Sequence, residues 1–236
     1  MLRLASLCTS LCLAPAFAQP LPSADNLIAR YIQALGGRSA LEAVHTRLAQ
    51  GTIESPTYGT WGRYEEQAER PDRFVRAFQI ERYGVVQSAY DGRTGWSELP
   101  EFGVTTLTGS RLAEMRREAQ FDWPLKLLEL YPGLRVRGRS SLLGREVVEA
   151  VATLPEGGQV RLLFDSESGL LACIEAPETA PDGSSRPVRV FHEDYRAVDG
   201  VMVPHVIRFE STDLIWIVRR TVVHNVPVAE QRFQKP

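Results

Sequence analysis

Histidine is the side chain best suited to acid–base catalysis near neutral pH and to zinc binding, and the sequence has four: His45, His192, His205 and His224. Their spacing does not suggest a shared metal ion. The nearest thing to a cluster is the run His192-Glu193-Asp194. On a strand, one face would carry the first and third side chains of this run, and zinc requires three or four ligands. We therefore interpret the run as the polar end of a solvated strand and expect no metal site.

The signatures of common catalytic sites are also missing. The sequence has no Gly-x-Ser-x-Gly elbow, no phosphate-binding loop and no His-Glu-x-x-His motif. Asp165, Asp182 and Asp199 each precede or begin a glycine-containing turn, where aspartate is favoured for backbone reasons. Cys173 lies in an apolar run and is expected to be a buried structural thiol. We therefore predict no catalytic residues, no cofactor and no enzymatic activity; a hydrolase with a dispersed site is an alternative.

The placement of apolar residues is more informative. Residues that alternate along a strand point to the same face of the sheet. Four candidate strands each have an apolar face, formed by Phe74, Phe78 and Ile80, by Val160, Leu162 and Phe164, by Ile207 and Phe209, and by Leu214, Trp216 and Val218. The opposite faces are more polar, except in the last strand. A sheet must bury such a face, either under helices and loops or against an apolar ligand.

The elements that would position these residues follow from periodicity and turn residues. Ser23 is a good N-cap for a first helix, which has an apolar stripe and ends at Gly36-Gly37. Further helices are predicted over 39–44, 110–120 and 125–130. Candidate strands cover 73–82, 85–90, 135–140, 145–153, 159–164, 170–175, 188–195, 203–210 and 214–224. Short connectors require antiparallel pairing. The predicted fold class is α+β, with one large curved antiparallel sheet and a few helices covering one face.

The first 18 residues resemble a secretory signal peptide. Arg3 gives a positive start, residues 4–13 are apolar, and Ala16-Phe17-Ala18 matches a cleavage site. The apolar run is shorter than the roughly 20 residues of a membrane span. Both cysteines in this segment follow leucine, so we expect no lipid anchor. These features predict export to the periplasm, cleavage after Ala18, a mature chain that begins at Gln19, and no transmembrane segment in that chain.

The predicted mature chain, residues 19–236, is of a size that one β-rich domain can fill. Cleavage removes one arginine and no acid, which leaves 26 basic and 29 acidic side chains and a net charge of −3. This balance offers no basic surface for nucleic acid or for anionic membranes. Only Cys173 lies beyond residue 18, so an intramolecular disulfide is excluded in the mature chain.

Three segments carry a resemblance to a known family. Residues 164–171 (FDSESGLL) resemble the "FD..tGLL" strand-turn-strand of periplasmic proteins related to the LolA/LolB lipoprotein carriers. Residues 194–204 (DYRAVDGVMVP) resemble the "DYR.VdGv.lP" segment of the same group, and residues 31–37 (YIQALGG) resemble its opening helix. The resemblance implies an unclosed β-barrel whose apolar concave face is covered by helices. In the carriers, this cavity receives the acyl chains of lipoproteins crossing the periplasm.

Together, the pattern and the resemblance predict a single LolA-like domain that binds the acyl chains of lipids or lipoproteins without catalysis. We expect the ligand-binding residues to be apolar side chains of shared strand parity: Phe74, Phe78, Leu162, Phe164, Phe209 and Trp216. An alternative is a periplasmic sensor or assembly subunit that binds an envelope protein through the same fold. The unrecognised hydrolase is the third hypothesis.

Overall fold

The computed structural model describes residues 20–212 and 214–236, so the predicted signal peptide and its cleavage site lie outside the described residues. The α-helices are α1 (Ala24–Ala34), α2 (Arg38–Glu42), α3 (Gly109–Glu118) and α4 (Leu127–Leu130); two 3-10 helices cover Trp123–Lys126 and Glu230–Arg232. The strands are β1 (Thr46–Ser55), β2 (Thr60–Glu69), β3 (Arg73–Ile80), β4 (Gly84–Tyr90), β5 (Gly95–Leu99), β6 (Gly103–Thr106), β7 (Arg135–Leu142), β8 (Arg145–Thr153), β9 (Gln159–Asp165), β10 (Leu171–Thr179), β11 (Ser185–Val198), β12 (Val201–Ser211) and β13 (Leu214–His224).

These strands form one antiparallel sheet in the order β6-β5-β4-β3-β2-β1-β13-β12-β11-β10-β9-β8-β7. The sheet consists of two runs of hairpins joined where β1 pairs with β13, and it is not closed into a barrel. Its edge strands, β6 and β7, are consecutive in the sequence, so the connection between them runs from one edge of the sheet to the other. That connection contains α3 and α4. The predicted fold class, an α+β unclosed barrel, is confirmed.

The first helix forms as its sequence predicts. The Ser23 hydroxyl caps the helix by accepting a hydrogen bond from the backbone N–H of Asn26 at 3.2 Å. Gly36 then has a positive φ of 115°, and a Cβ atom at this position would collide with the carbonyl oxygen of Gly200. The carbonyl of Leu35 also accepts a hydrogen bond from the N–H of Met202 at 2.9 Å. The glycine therefore ends α1 and also lets the end of the helix dock on β12.

The observed strands β1, β2, β5 and β6 have no counterpart among the candidate strands, and the other elements differ from the predicted ones mainly in length. β8 and β13 match at both ends, whereas β10 and β11 continue past Pro177 and Pro187. Proline lacks the N–H group that a sheet ladder needs, so a strand is expected to end before a proline. Here Pro177 and Pro187 are paired with each other, so both missing donors fall at one position of the ladder. The predicted helix 125–130 is a 3-10 turn followed by α4.

The helices cover the concave face unevenly. α1 packs on β8, β9 and β10, where Leu27, Ile28 and Tyr31 are buried in one cluster with Leu162 and Phe164. α3 packs at the other side of the face, over β2 to β4, in a cluster that contains Phe74, Tyr90 and Met115. The middle of the face, around β12, β13 and β1, has its own apolar cluster. None of the helices in the described residues is long and apolar enough to cross a membrane.

Candidate functional site

Two cavities lie on the concave face. The inner cavity, about 460 Å³, lies between the sheet and the covering segments and is lined by residues such as Tyr31, Trp123 and Leu171. The outer cavity, about 810 Å³, is lined by the β1–β2, β3–β4 and β10–β11 connections and by the adjoining ends of those strands. Both volumes fall within the roughly 300–1,000 Å³ of ordinary ligand sites. Four residues line both cavities, so the two spaces adjoin at Arg76, Glu178, Val188 and Phe209.

All six residues predicted to bind ligand lie on this concave face, because cross-strand pairing places them on the same side of the sheet. Phe78, Phe209 and Trp216 line the outer cavity, and Phe74 lines the inner one. Leu162 and Phe164 differ from these four. They are fully buried beneath α1 and are not among the residues that line either cavity. A ligand in the two cavities therefore contacts the other four, and the binding role of the set stays a prediction.

Arg76 is the central polar residue of this face, and the sequence analysis missed it. Its guanidinium carbon lies 5.7, 5.5 and 5.8 Å from the ring centroids of Phe74, Phe78 and Phe209, respectively. The guanidinium also forms an ion pair with Glu118 of α3. Its place on this face could have been predicted, because Arg76 lies two residues from both Phe74 and Phe78 and so points to the same face of the strand. Three predicted ligand-binding rings thus surround a cation.

A second polar group lies beside Arg76 on strands β1, β2 and β13. Glu66 accepts hydrogen bonds from the Nε of Arg47 at 3.0 Å, from the Nη1 of Arg220 at 3.1 Å and from the Tyr64 hydroxyl at 2.5 Å. Arg220 and Tyr64 are separated by one strand, and each is paired with Gly51. A Cβ atom at Gly51 would collide with the carbonyl of Arg219. Glycine at this position thus lets β13 approach β1 closely. The Arg220 side chain crosses β1 at Gly51 and reaches Tyr64 on β2.

Burial and charge shift the protonation of this group. Burial alone would raise the pKa of Glu66, but the Arg220 and Arg47 guanidinium groups outweigh it and lower the pKa to about 2. Burial also raises the pKa of the Tyr64 hydroxyl, and the negative charge of Glu66 adds to that effect. At neutral pH, Glu66 is therefore a carboxylate and Tyr64 a neutral hydrogen-bond donor. Both groups therefore keep a fixed protonation state near pH 7.

His192 requires a correction. We predicted a solvated strand end, but the residue lies in the middle of β11 and lines the inner cavity. Burial, together with the nearby charge of Arg220, lowers the pKa of His192 to about 4, so the imidazole is neutral at pH 7. Its neighbour Asp194 is exposed and has a positive φ of 51°, which interrupts the regular strand. Regular alternation would put His192 and Asp194 on one face, but the irregularity at Asp194 brings Tyr195 to the inner cavity with His192 instead.

The described residues contain no group of three or more His, Cys, Asp or Glu side chains that could hold a metal ion. The Nδ1 of His205 lies 3.0 Å from the carbonyl of Val203, and the Nδ1 of His224 lies 3.7 Å from a carboxylate oxygen of Asp199. Cys173 is buried, and burial raises the pKa of its thiol to about 12. At that pKa the group is a protonated thiol at neutral pH, which agrees with the structural role predicted for it.

No protein-family model matches the sequence, and no curated protein matches it. Among solved structures, similar ones include a DUF1329 family protein from Desulfovibrio piger, with 10% identity, a TM-score of 0.60, and coverage of 89% of this chain and 96% of that chain. A LolA superfamily protein from Nitrosomonas europaea has 13% identity and a TM-score of 0.56, covering 91% and 98%. A domain from Vibrio parahaemolyticus, provisionally described as an outer membrane lipoprotein-sorting protein, has 11% identity and a TM-score of 0.54, covering 87% and 97%.

At these identities the likeness concerns the fold alone. The class of protein that the sheet and its concave cavities define is therefore the LolA-like fold, over nearly the whole described chain. The fold that the sequence resemblance implies is confirmed.

Proposed function

We propose that this protein is a non-enzymatic carrier or binder of acyl chains in the periplasm. The observation that carries the proposal is the outer cavity, where Phe78, Phe209 and Trp216 form a half-buried aromatic wall on the concave face. Large apolar surfaces that stay accessible in a folded protein commonly mark binding sites. The fold likeness to a domain described as a lipoprotein-sorting protein supports the same type of cargo. Acyl chains of lipids or of lipoproteins are the proposed ligands.

The driving force would be burial of methylene groups. Each buried methylene contributes about 0.8 kcal/mol, so a chain laid along the three rings binds without any specific polar contact. Aromatic rings suit this purpose because they present large apolar areas with few rotatable bonds. Binding of this kind involves no chemical step by the protein. Its role would be to hold an apolar chain out of water.

The substitution Phe78→Asp tests the proposal. It places a charge against the ligand chain, and we expect the affinity for a dansyl-labelled fatty acid to fall roughly tenfold or more. Val85→Asp is the matched control, because Val85 is exposed on the neighbouring strand β4 and is paired with Gln79, on the opposite face. Fluorescence titration measures both affinities. A parent protein that binds no acyl probe at micromolar concentration, or an equal loss in both variants, contradicts the proposal.

The proposed location depends on residues 1–18, which lie outside the described residues. Export and cleavage after Ala18 stay predictions. We expect protein recovered from the cell envelope to have an intact mass that begins at Gln19 and to lack acyl modification. A mass that includes residues 1–18, or a lipid-modified cysteine, would show that this part of the proposal is wrong.

A further inference from the structure

The polar residues where the two cavities adjoin carry unequal charge. We define the arginine cluster as two neighbouring ion-paired groups: Glu66 with Arg47 and Arg220, and Glu118 with Arg76, which lies opposite Glu66 on the adjacent strand. Three guanidinium groups face two carboxylates, so one positive charge is not balanced within the cluster. Of the other carboxylates that line the inner cavity, Asp122 pairs with Arg70 and Glu178 with Arg186, whereas Glu114 accepts hydrogen bonds from the uncharged N–H and hydroxyl of Thr179.

The cluster also has hydrogen-bonding capacity that the protein leaves unused. In the described part of the chain, neither the buried Nε of Arg76 nor the buried Nδ1 of His192 has a hydrogen-bond partner. Buried polar atoms in native proteins nearly always have a partner, so each exception calls for an explanation. Both residues line the inner cavity, and Arg76 lines the outer cavity as well. A ligand in either space therefore comes within reach of Arg76.

The surroundings of Arg76 favour an anion with an apolar tail. The guanidinium group matches carboxylate and phosphate groups in shape and charge, and the rings of Phe74, Phe78 and Phe209 around it keep the local dielectric low, which strengthens a charged contact. Phe78 and Phe209 continue directly into the aromatic wall with Trp216. The cation thus lies at one end of the surface proposed to bind the acyl chain.

We propose that the arginine cluster binds the anionic head group, a carboxylate or a phosphate, of a single-chain amphiphile whose tail lies in the outer cavity. This inference rests on the proposed function and adds the class of ligand that the site selects. Arg76 is the principal contact for the head group. Arg220 is fixed by Glu66 and Tyr64 and supplies positive potential from behind. The neutral imidazole of His192 is available as a further hydrogen-bonding group.

The test compares dodecanoate, dodecyl phosphate and dodecanol, which share one chain and differ in the head group. Isothermal titration calorimetry on the full mature protein is expected to give about tenfold to hundredfold tighter binding of one or both anions than of the alcohol, the effect of a charge-assisted hydrogen bond. Arg76→Gln is expected to remove this preference, and Arg76→Lys to restore part of it. Arg219→Gln is the control, since it removes the same charge from an exposed side chain paired with Glu54.

Each outcome separates the inference from the proposed function. Tighter binding of one anion supports the inference and identifies the head group as carboxylate or phosphate. Equal binding of all three compounds overturns the head-group inference and leaves acyl binding in place. Binding of none of them contradicts both. If Arg76→Gln does not fold, Arg76→Lys locates the head group: a reduced preference for the anions supports the inference, and an undiminished preference overturns it.

Discussion

Replacing Phe164 with alanine is expected to lower the free energy of unfolding by about 3–5 kcal/mol, the usual effect of removing a fully buried phenyl ring. Phe164 has no exposed surface, and its ring meets that of Tyr31 edge-on at a centroid distance of 5.2 Å. Because α1 is tied to the sheet by the hydrogen bonds of Arg30 to the carbonyls of Ser166 and Glu167 and of Met202 to the carbonyl of Leu35, the space cannot close easily. Urea unfolding at neutral pH measures the loss.

The matched variant is Phe78→Ala, which removes the same ring from the half-buried outer cavity. It is expected to cost much less stability and to weaken acyl binding. Phe164→Ala, in contrast, is expected to keep acyl binding under conditions where it is folded. Equal stability losses in the two variants would contradict the position of α1 over Phe164. Loss of binding in folded Phe164→Ala would mean that the ligand enters beneath α1.

Glu66→Gln is expected to have an effect of similar size for a different reason. Glu66 and Arg220 are both buried, with side-chain exposures of 6% and 8%. Removing one partner of a buried ion pair leaves the other charge uncompensated, which commonly costs about 3–5 kcal/mol. The control is Glu54→Gln, whose partner Arg219 is exposed and whose loss is expected to cost about 1 kcal/mol or less. Unfolding free energies of the two variants that differ by less than their errors would contradict the account of the cluster.

Because of Glu66, the free energy of unfolding is expected to fall in acid. The pKa of Glu66 is about 2 in the folded protein against an ordinary value of 4.5, so the unfolded chain binds the proton first as the pH falls. The stabilisation from Glu66 is therefore complete above about pH 4.5 and is lost between that pH and about 2, by about 3 kcal/mol in total. His192, whose pKa falls from 6.5 to about 4, adds a loss of stability between those two values. The unfolding free energy of Glu66→Gln is expected to depend less on pH below 4.5.

Local sequence signals predicted both ends of α1, at Ser23 and Gly36, and most strands after residue 73, but not β1, β2, β5 and β6. Alternation correctly put Phe74 and Phe78 on one face of their strand, whereas the register of the strands between β3 and β12 puts Phe209 on the same face. The covering of that face could not be predicted in the same way. Leu162 and Phe78 were both identified by alternation along their strands, yet only Leu162 lies under α1. The position of a helix over a sheet depends on contacts between residues that are distant in the sequence.

The arginine cluster could not be predicted from the sequence, for a related reason. Arg47, Glu66, Arg76 and Arg220 come from four strands, and their contacts depend on the register of β1 with β2 and β13. In the sequence, each of these charged residues is a single interruption of an apolar strand face. Only the pairing of the strands shows that their side chains lie together. Arg76 was the one member with a readable signal, because it alternates with two phenylalanines in a single strand.

Quenching of Trp216 by a bound fatty acid shows whether an acyl chain lies along the outer cavity. A fatty acid brominated along its chain would be titrated into the parent protein and into Trp216→Phe, with fluorescence recorded at equal occupancy. Trp96 is buried on the convex side, where its Nε1 donates to the carbonyl of Phe233, so it is expected to escape quenching, whereas Trp123 lines the inner cavity and would give the quenching that remains. The account predicts saturable quenching in the parent, most of which disappears in Trp216→Phe. Saturable binding with the same quenching in both proteins would contradict it.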